Sequence, residues 1–118
     1  MSLRIGKERT LSPLADEDPQ EYPKGTPALG ASDVTQLVAE VPGWRVENNG
    51  LVRDFEFKAF DDAFSFLTRV ALLAETKSHH PDIWNSWNKV SLRFWTHTAE
   101  GLTRNDFIMA AKINRFAD

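Results

Sequence analysis

The chain has 118 residues, 42% hydrophobic and 26% charged, with a formal net charge of −3 and no cysteine. Those figures describe one globular domain with a small core that oligomerisation would help to stabilise. They exclude disulfides, thiolate catalysis and Cys-ligated zinc, and with no basic run interleaved with aromatics, direct nucleic-acid binding is not expected.

In chain order, the opening "MSLRIGKERT" has basic residues but no apolar segment behind them, unlike a secretory signal. Glu8 and the acidic run Asp16–Asp18 speak against a transit peptide. No apolar run approaches membrane-spanning length, so no membrane partner is expected and the expected compartment is the cytoplasm. Residues 1–30 contain Pro13, Pro19, Pro23 and Pro27 with Gly25 and Gly30, which forbid a regular helix or a central strand. They also carry Leu3, Ile5, Leu11, Leu14, Tyr22 and Leu29. This pattern reads as an irregular arm packed on its own domain or on a neighbouring subunit, with the acidic run left in water and no catalytic group supplied. Residues 31–118 are then the folded domain.

Ser32 and Asp33 can cap a short helix through about Val41, ended by "PGW" at 42–44. A strand from Trp44 to Glu47, a tight turn at "NNG" and a return strand from Leu51 to Phe57 follow. Leu51, Arg53, Phe55 and Phe57 fall on one side, and Val52, Asp54 and Glu56 on the other, as in a sheet with one buried face. Phe60–Thr76 is the clearest helix, capped by Asp61 or Asp62, with Ala63, Phe66, Leu67, Val70 and Ala74 on its apolar stripe. Next, "DIWNSW" and "VSLRFWT" read as a second hairpin about Asn88 and Lys89, its second strand ending at His97. Gly101 breaks the chain. Thr103, with Asp106 three residues on, starts a last helix carried by Phe107, Ile108, Ala111 and Ile113. The predicted fold is α/β (α+β, two-layer), in the order α-β-β-α-β-β-α: a four-stranded antiparallel sheet with three helices on one face.

The stretch "ETKSHHPDIWNSWNKV" holds two of the three histidines, side by side, at the end of the long helix. A histidine near a helix C-terminus can be purely structural, because it interacts well with the helix dipole. Three histidines also suggest zinc, but adjacent side chains diverge and neither HxH nor HxxxH spacing is present, so no metal site is assigned. Acid–base chemistry fits better. Imidazole gives and takes protons near neutrality, Glu75 lies about one helical turn before His79, and topology lets His97 face His79 and His80 across a cleft. Pro81, Trp44, Trp84 and Trp87 can supply flat apolar walls. A non-covalent elimination or proton shuffle on a planar ring is the enzyme class that remains.

The stretch Phe55–Asp106 resembles the pterin-4a-carbinolamine dehydratases. The resemblance rests on Glu75, His79, His80 and Pro81, then Asn88-Lys89-Val90, Thr96-His97, Gly101-Leu102-Thr103 and Asp106, with "PGW" upstream. It covers roughly residues 33–117, and departs from the family pattern at Ser78, Thr98 and Phe94-Trp95. The resemblance implies a domain whose strands pair with a second subunit, giving a homodimer or homotetramer. It implies dehydration of 4a-hydroxytetrahydrobiopterin to quinonoid dihydrobiopterin without metal or organic cofactor, recycling the pterin cofactor of aromatic amino-acid hydroxylases. By motif position His79, His80 and His97 are the catalytic set, with His80 the main acid–base residue, and Glu75, Pro81 and Trp44 are the substrate-binding positions. The rival reading is a non-catalytic member of the same fold, either a transcriptional dimerisation cofactor or a RuBisCO assembly factor.

Overall fold

The computed structural model describes residues 13–117; the expectations for Leu3, Ile5 and Leu11 lie outside them. The elements are α1 (Ala31–Val38), β1 (Arg45–Glu47), β2 (Gly50–Glu56), α2 (Phe60–Lys77), β3 (Asp82–Ser86), β4 (Lys89–Phe94) and α3 (Arg104–Ala117), with 3₁₀ turns at Pro13–Asp16 and His97–Ala99. The four strands form one antiparallel sheet in the order β1-β2-β4-β3. This is the predicted α+β architecture. Among the described residues no helix is long and apolar enough to cross a membrane.

Both hairpins turn on two residues. Asn48 and Asn49 take positive φ angles of 50° and 62°, the mirror-image turn that matches the twist of paired strands, so Gly50 already belongs to β2. Trp87 and Asn88 make the second turn, and Lys89 pairs with Ser86 instead of lying in the turn. Along β2 and β4 the alternation puts Leu51, Phe55, Val90, Leu92 and Phe94 against the helices, all buried. The predicted stripe of α2 packs on them, and Phe107, Ile108 and Ile113 of α3 close the layer with almost no exposure. Each such side chain contributes about 1.5–3 kcal/mol when fully buried.

Three local expectations are corrected. Neither α1 nor α2 has a side-chain cap: their N-caps are Gly30 and Ala59, and Ser32, Asp33, Asp61 and Asp62 lie inside the first turns. There the carboxylates still meet the positive end of the helix dipole. α1 stops at Val38, because the chain turns to sink Val41 fully into the core. β4 stops at Phe94 and not at His97. Thr96 bridges to Gly101 and bonds to the start of α3, which bends the chain away from the sheet.

The described part of the arm, residues 13–30, packs on its own domain. Leu14 and Ala15 are buried in the common core, and Lys112 donates to the Ala15 carbonyl at 2.8 Å. The acidic run is solvent-facing yet paired: Asp16 with Arg115, Glu17 with Arg104 and Asp18 with Lys77, at 2.7–2.8 Å. The Arg104 hydrogen bonds hold the Glu17 carboxyl below its ordinary value, and the Lys77 hydrogen bond does the same for Asp18. Further along, Gly25 N–H donates to the Thr98 carbonyl at 3.0 Å and Leu29 N–H to that of Leu102 at 2.8 Å.

Candidate active site

The C-terminal end of α2 determines where the adjacent histidines go. Ser78 sits in the left-handed region (φ 56°, ψ 37°), an uncommon conformation for a residue other than glycine. It ends the helix while Ser78 N–H and His79 N–H still reach the Glu75 and Ala74 carbonyls. The two side chains then diverge. The His79 ring is largely buried and lies parallel to Phe94, with centroids 5.7 Å apart and planes 7° from coplanar. His80 is mostly exposed, its Nε2 3.2 Å from Glu75 Oε1.

His79 is held by a polar cluster inside the fold. Its Nε2 donates to Asp106 Oδ1 at 2.7 Å, and Asp106 has no exposed surface. The other carboxylate oxygen accepts from Thr103 N–H and from the Thr96 hydroxyl, both at 2.9 Å. Since Thr96 donates there, the Thr103 hydroxyl donates to Thr96, at 2.7 Å. Asp106 thereby does two jobs. It reaches back from the first turn of α3 to the Thr103 amide, one half of the expected capping box, and it fixes the tautomer and orientation of an imidazole. A buried carboxylate with three donors is fully satisfied, the condition for a buried polar network to add rigidity.

His97 opens the 3₁₀ turn after β4, and its ring stacks on Trp95, with centroids 4.0 Å apart and planes 21° from parallel. His79, His80 and His97 line one open cleft of about 630 Å³, together with Ser78, Trp95, Thr96 and Thr98. Pro19–Tyr22 of the arm form a further wall of the same cleft. That volume is in the range of small-molecule sites. Several imidazoles around a cleft with an aromatic floor can move protons on and off a flat ring. Among the described residues no three His, Cys, Asp or Glu side chains are grouped so as to hold a metal ion.

The other expected site residues are placed differently. Glu75 touches the site only through His80, and neither it nor Pro81 lines the cleft. Trp44 does not line it either. It is a core residue, 6% exposed, edge-on to Phe55, with Nε1 donating to Asn114 Oδ1 at 2.8 Å. The reason is its position just before β1, on the helix-facing side of the sheet, where its ring lies 5.9 Å from that of Phe94, the residue on which His79 also stacks. Trp84 and Trp87 stand exposed on β3 and its turn, away from the cleft, and Trp95 is the aromatic wall instead.

Sequence reasoning missed Trp95, Asp106 as the partner of His79, and the arm wall. For Asp106 a signal existed: an acid directly before the apolar run Phe107–Ala111, inside the motif that carries the histidines. For the arm wall there was only the clustering of Tyr22 with prolines.

Over residues 27–116 the chain matches the family described as Pterin 4 alpha carbinolamine dehydratase. A Rubrobacter xylanophilus protein provisionally named pterin-4-alpha-carbinolamine dehydratase is 38% identical over 106 residues, covering 89% of this chain and 99% of its own. One from Chlorobium limicola with the same provisional name is 45% identical over 92 residues, covering 75% and 80%. Among solved structures, a transcriptional coactivator/pterin dehydratase from Brucella melitensis superposes with a TM-score of 0.74 at 34% identity, over 77% of this chain and 99% of that one.

Proposed function

Because the chain belongs to the pterin-4a-carbinolamine dehydratase family, we propose that it dehydrates 4a-hydroxytetrahydrobiopterin to quinonoid dihydrobiopterin. It would thereby recycle the pterin cofactor of aromatic amino-acid hydroxylases in the cytoplasm. The observation that carries this reading is the convergence of all three histidines on one cleft. In the reaction the carbon–oxygen bond at the 4a position breaks and the hydroxyl leaves as water, taking a proton from an imidazolium. The lone pair of the adjacent ring nitrogen forms the new double bond, and the proton on that nitrogen passes to a second imidazole. Positioned imidazoles contribute ~10²–10⁴-fold in such steps.

In this proposal His80, paired with Glu75 and open to the cleft, is the principal acid–base group. His79, held by Asp106, and His97, stacked on Trp95, bind the pterin and share the proton transfers. Stopped-flow measurement of 4a-hydroxytetrahydropterin decay tests the reading. The protein should accelerate decay without added metal. An unchanged rate at saturating protein rejects the enzyme, and a rate that needs zinc and is lost to a chelator replaces acid–base catalysis by metal chemistry.

The working unit is proposed to be a homodimer or homotetramer. In support, β1 and β3 are edge strands, Ile83 and Trp84 on β3 are about half exposed, and α2 presents Phe60, Phe64 and Leu72 to solvent. Light scattering at micromolar concentration should find at least a dimer. A second, non-catalytic role as a protein-binding cofactor is favoured by the same apolar surface and by the coactivator name of the Brucella structure.

A further inference from the structure

The cleft has two walls of different origin. One carries the histidines. The other, Pro19–Tyr22, comes from a segment upstream of the family match at 27–116. We propose that this second wall is part of the substrate site, with Tyr22 contacting the bound substrate and Asn105 acting as the positioning residue that fixes the wall. The proposal rests on the dehydratase reading above and names the part of that site which the histidine motif does not describe.

The wall is built and not merely nearby. Asn105, 4% exposed, reads the Gln20 backbone in both directions: its Oδ1 accepts the Gln20 N–H at 2.9 Å and its Nδ2 donates to the Gln20 carbonyl at 2.6 Å. One side-chain amide thus replaces a strand neighbour and removes the freedom of the residue two before Tyr22. On the near side, Glu17 makes two bonds to Arg104, at 2.8 and 2.7 Å, and Leu14 is inserted in the core. On the far side, Gly25 is tied to Thr98, itself a cleft residue. The segment is therefore pinned before, at and after the wall.

The pins are also in register with the chemistry. Arg104, Asn105 and Asp106 are consecutive. They hold, in turn, the arm at Glu17, the wall at Gln20 and the ring of His79. The first turn of α3 thus ties the arm wall and the His79 ring to one short stretch of backbone. A flat, polar heterocycle needs an aromatic face and hydrogen-bonding groups around it. The histidine side offers imidazoles and Trp95, and the arm side offers the half-buried Tyr22 ring beside Gln20 and Glu21.

The test is steady-state and stopped-flow kinetics on the full chain with Tyr22→Ala, Asn105→Ala and the double variant, each checked for folding by circular dichroism. Each single change should raise KM about tenfold, the scale on which one well-placed aromatic ring holds a flat ligand, with kcat per folded protein within about threefold. The double variant should be little worse than either single one, because both remove the same hold on the substrate. KM within twofold of wild type for Tyr22→Ala overturns the proposal while the dehydratase reading stands. So does an Asn105→Ala effect confined to the folded fraction or to kcat, and so do fully additive effects. A wild-type protein without activity overturns both.

Discussion

Replacing Asp106 by asparagine tests the core of the site most directly, because shape is kept while the charge and one acceptor are removed. Asp106 accepts three hydrogen bonds, from His79 Nε2, the Thr103 amide and the Thr96 hydroxyl. Asparagine can keep the two bonds at Oδ2 by placing its oxygen there. Its amide then faces His79, which can accept that bond only by moving its proton to Nδ1. The fold therefore loses charge assistance at three bonds and gains one buried amide N–H for which those partners offer no acceptor. Hydrogen bonds to charged groups are worth ~1.5–3 kcal/mol against ~0.5–1.5 for neutral ones, so a net loss of about 2–3 kcal/mol is expected. For a chain of this size that lowers the melting temperature by roughly 8–15 °C. The His79 tautomer is reversed, and turnover per folded protein should fall by ~10²-fold or more. Asp106→Ala makes the contrast, since three buried donors are then stranded and about 3–5 kcal/mol is lost, a large share of a typical domain's stability. Thermal melts followed by circular dichroism, with stopped-flow dehydration on the same samples, give both numbers. If Asp106→Asn keeps turnover within threefold of wild type, the carboxylate is structural only and the orienting role fails.

Three further outcomes are expected. His80→Ala should cut turnover by ~10²-fold or more, while His79→Ala and His97→Ala raise KM as well as lowering turnover; near-full turnover for His80→Ala with total loss for His97→Ala would reassign the principal acid–base group. Leu14→Ala, at a site 1% exposed, should cost about 2–5 kcal/mol in denaturant melts, and a change under about 0.5 kcal/mol would mean that the arm is not part of the core. The folded Glu17 carboxyl lies below its ordinary value because of Arg104, so its contribution is present above the ordinary carboxylate range and lost as pH falls through the depressed value. Hydrogen exchange at residues 14–22, corrected for intrinsic rates, should therefore rise between about pH 5 and about pH 3. The effect should be small, since the pair is exposed, and protection that does not change across this interval would contradict it.

The fold was legible because its signals are local. The period-two alternation of β2 and the 3.6-residue stripe of α2 each name a face without help from the rest of the chain. The histidine convergence was legible through topology. What failed were placements settled by tertiary competition. Trp44 has the composition of a substrate wall, but an indole beside Asn114 and Phe55 is better placed in the core. Caps expected from Ser32 and Asp61 gave way to Gly30 and Ala59, each two residues earlier. The arm wall was invisible because its decisive bond joins Gln20 to a residue 85 positions away, and no periodicity encodes such a pairing.

That separation has a consequence for how the protein is made. Synthesis delivers Pro19–Tyr22 long before Asn105, so the wall waits, without its anchor, until nearly all of the intervening chain has emerged. Closing so long a loop is slow but only modestly dearer in entropy than closing a short one. The sheet and α2 can form beforehand, but the cleft cannot. A nascent or truncated chain that stops short of α3 would display the adjacent histidines with neither the carboxylate that orients His79 nor an anchored arm wall. Under the proposed function, pterin binding would then require a chain that includes α3, and folding quality and site assembly would be read out by the same late event.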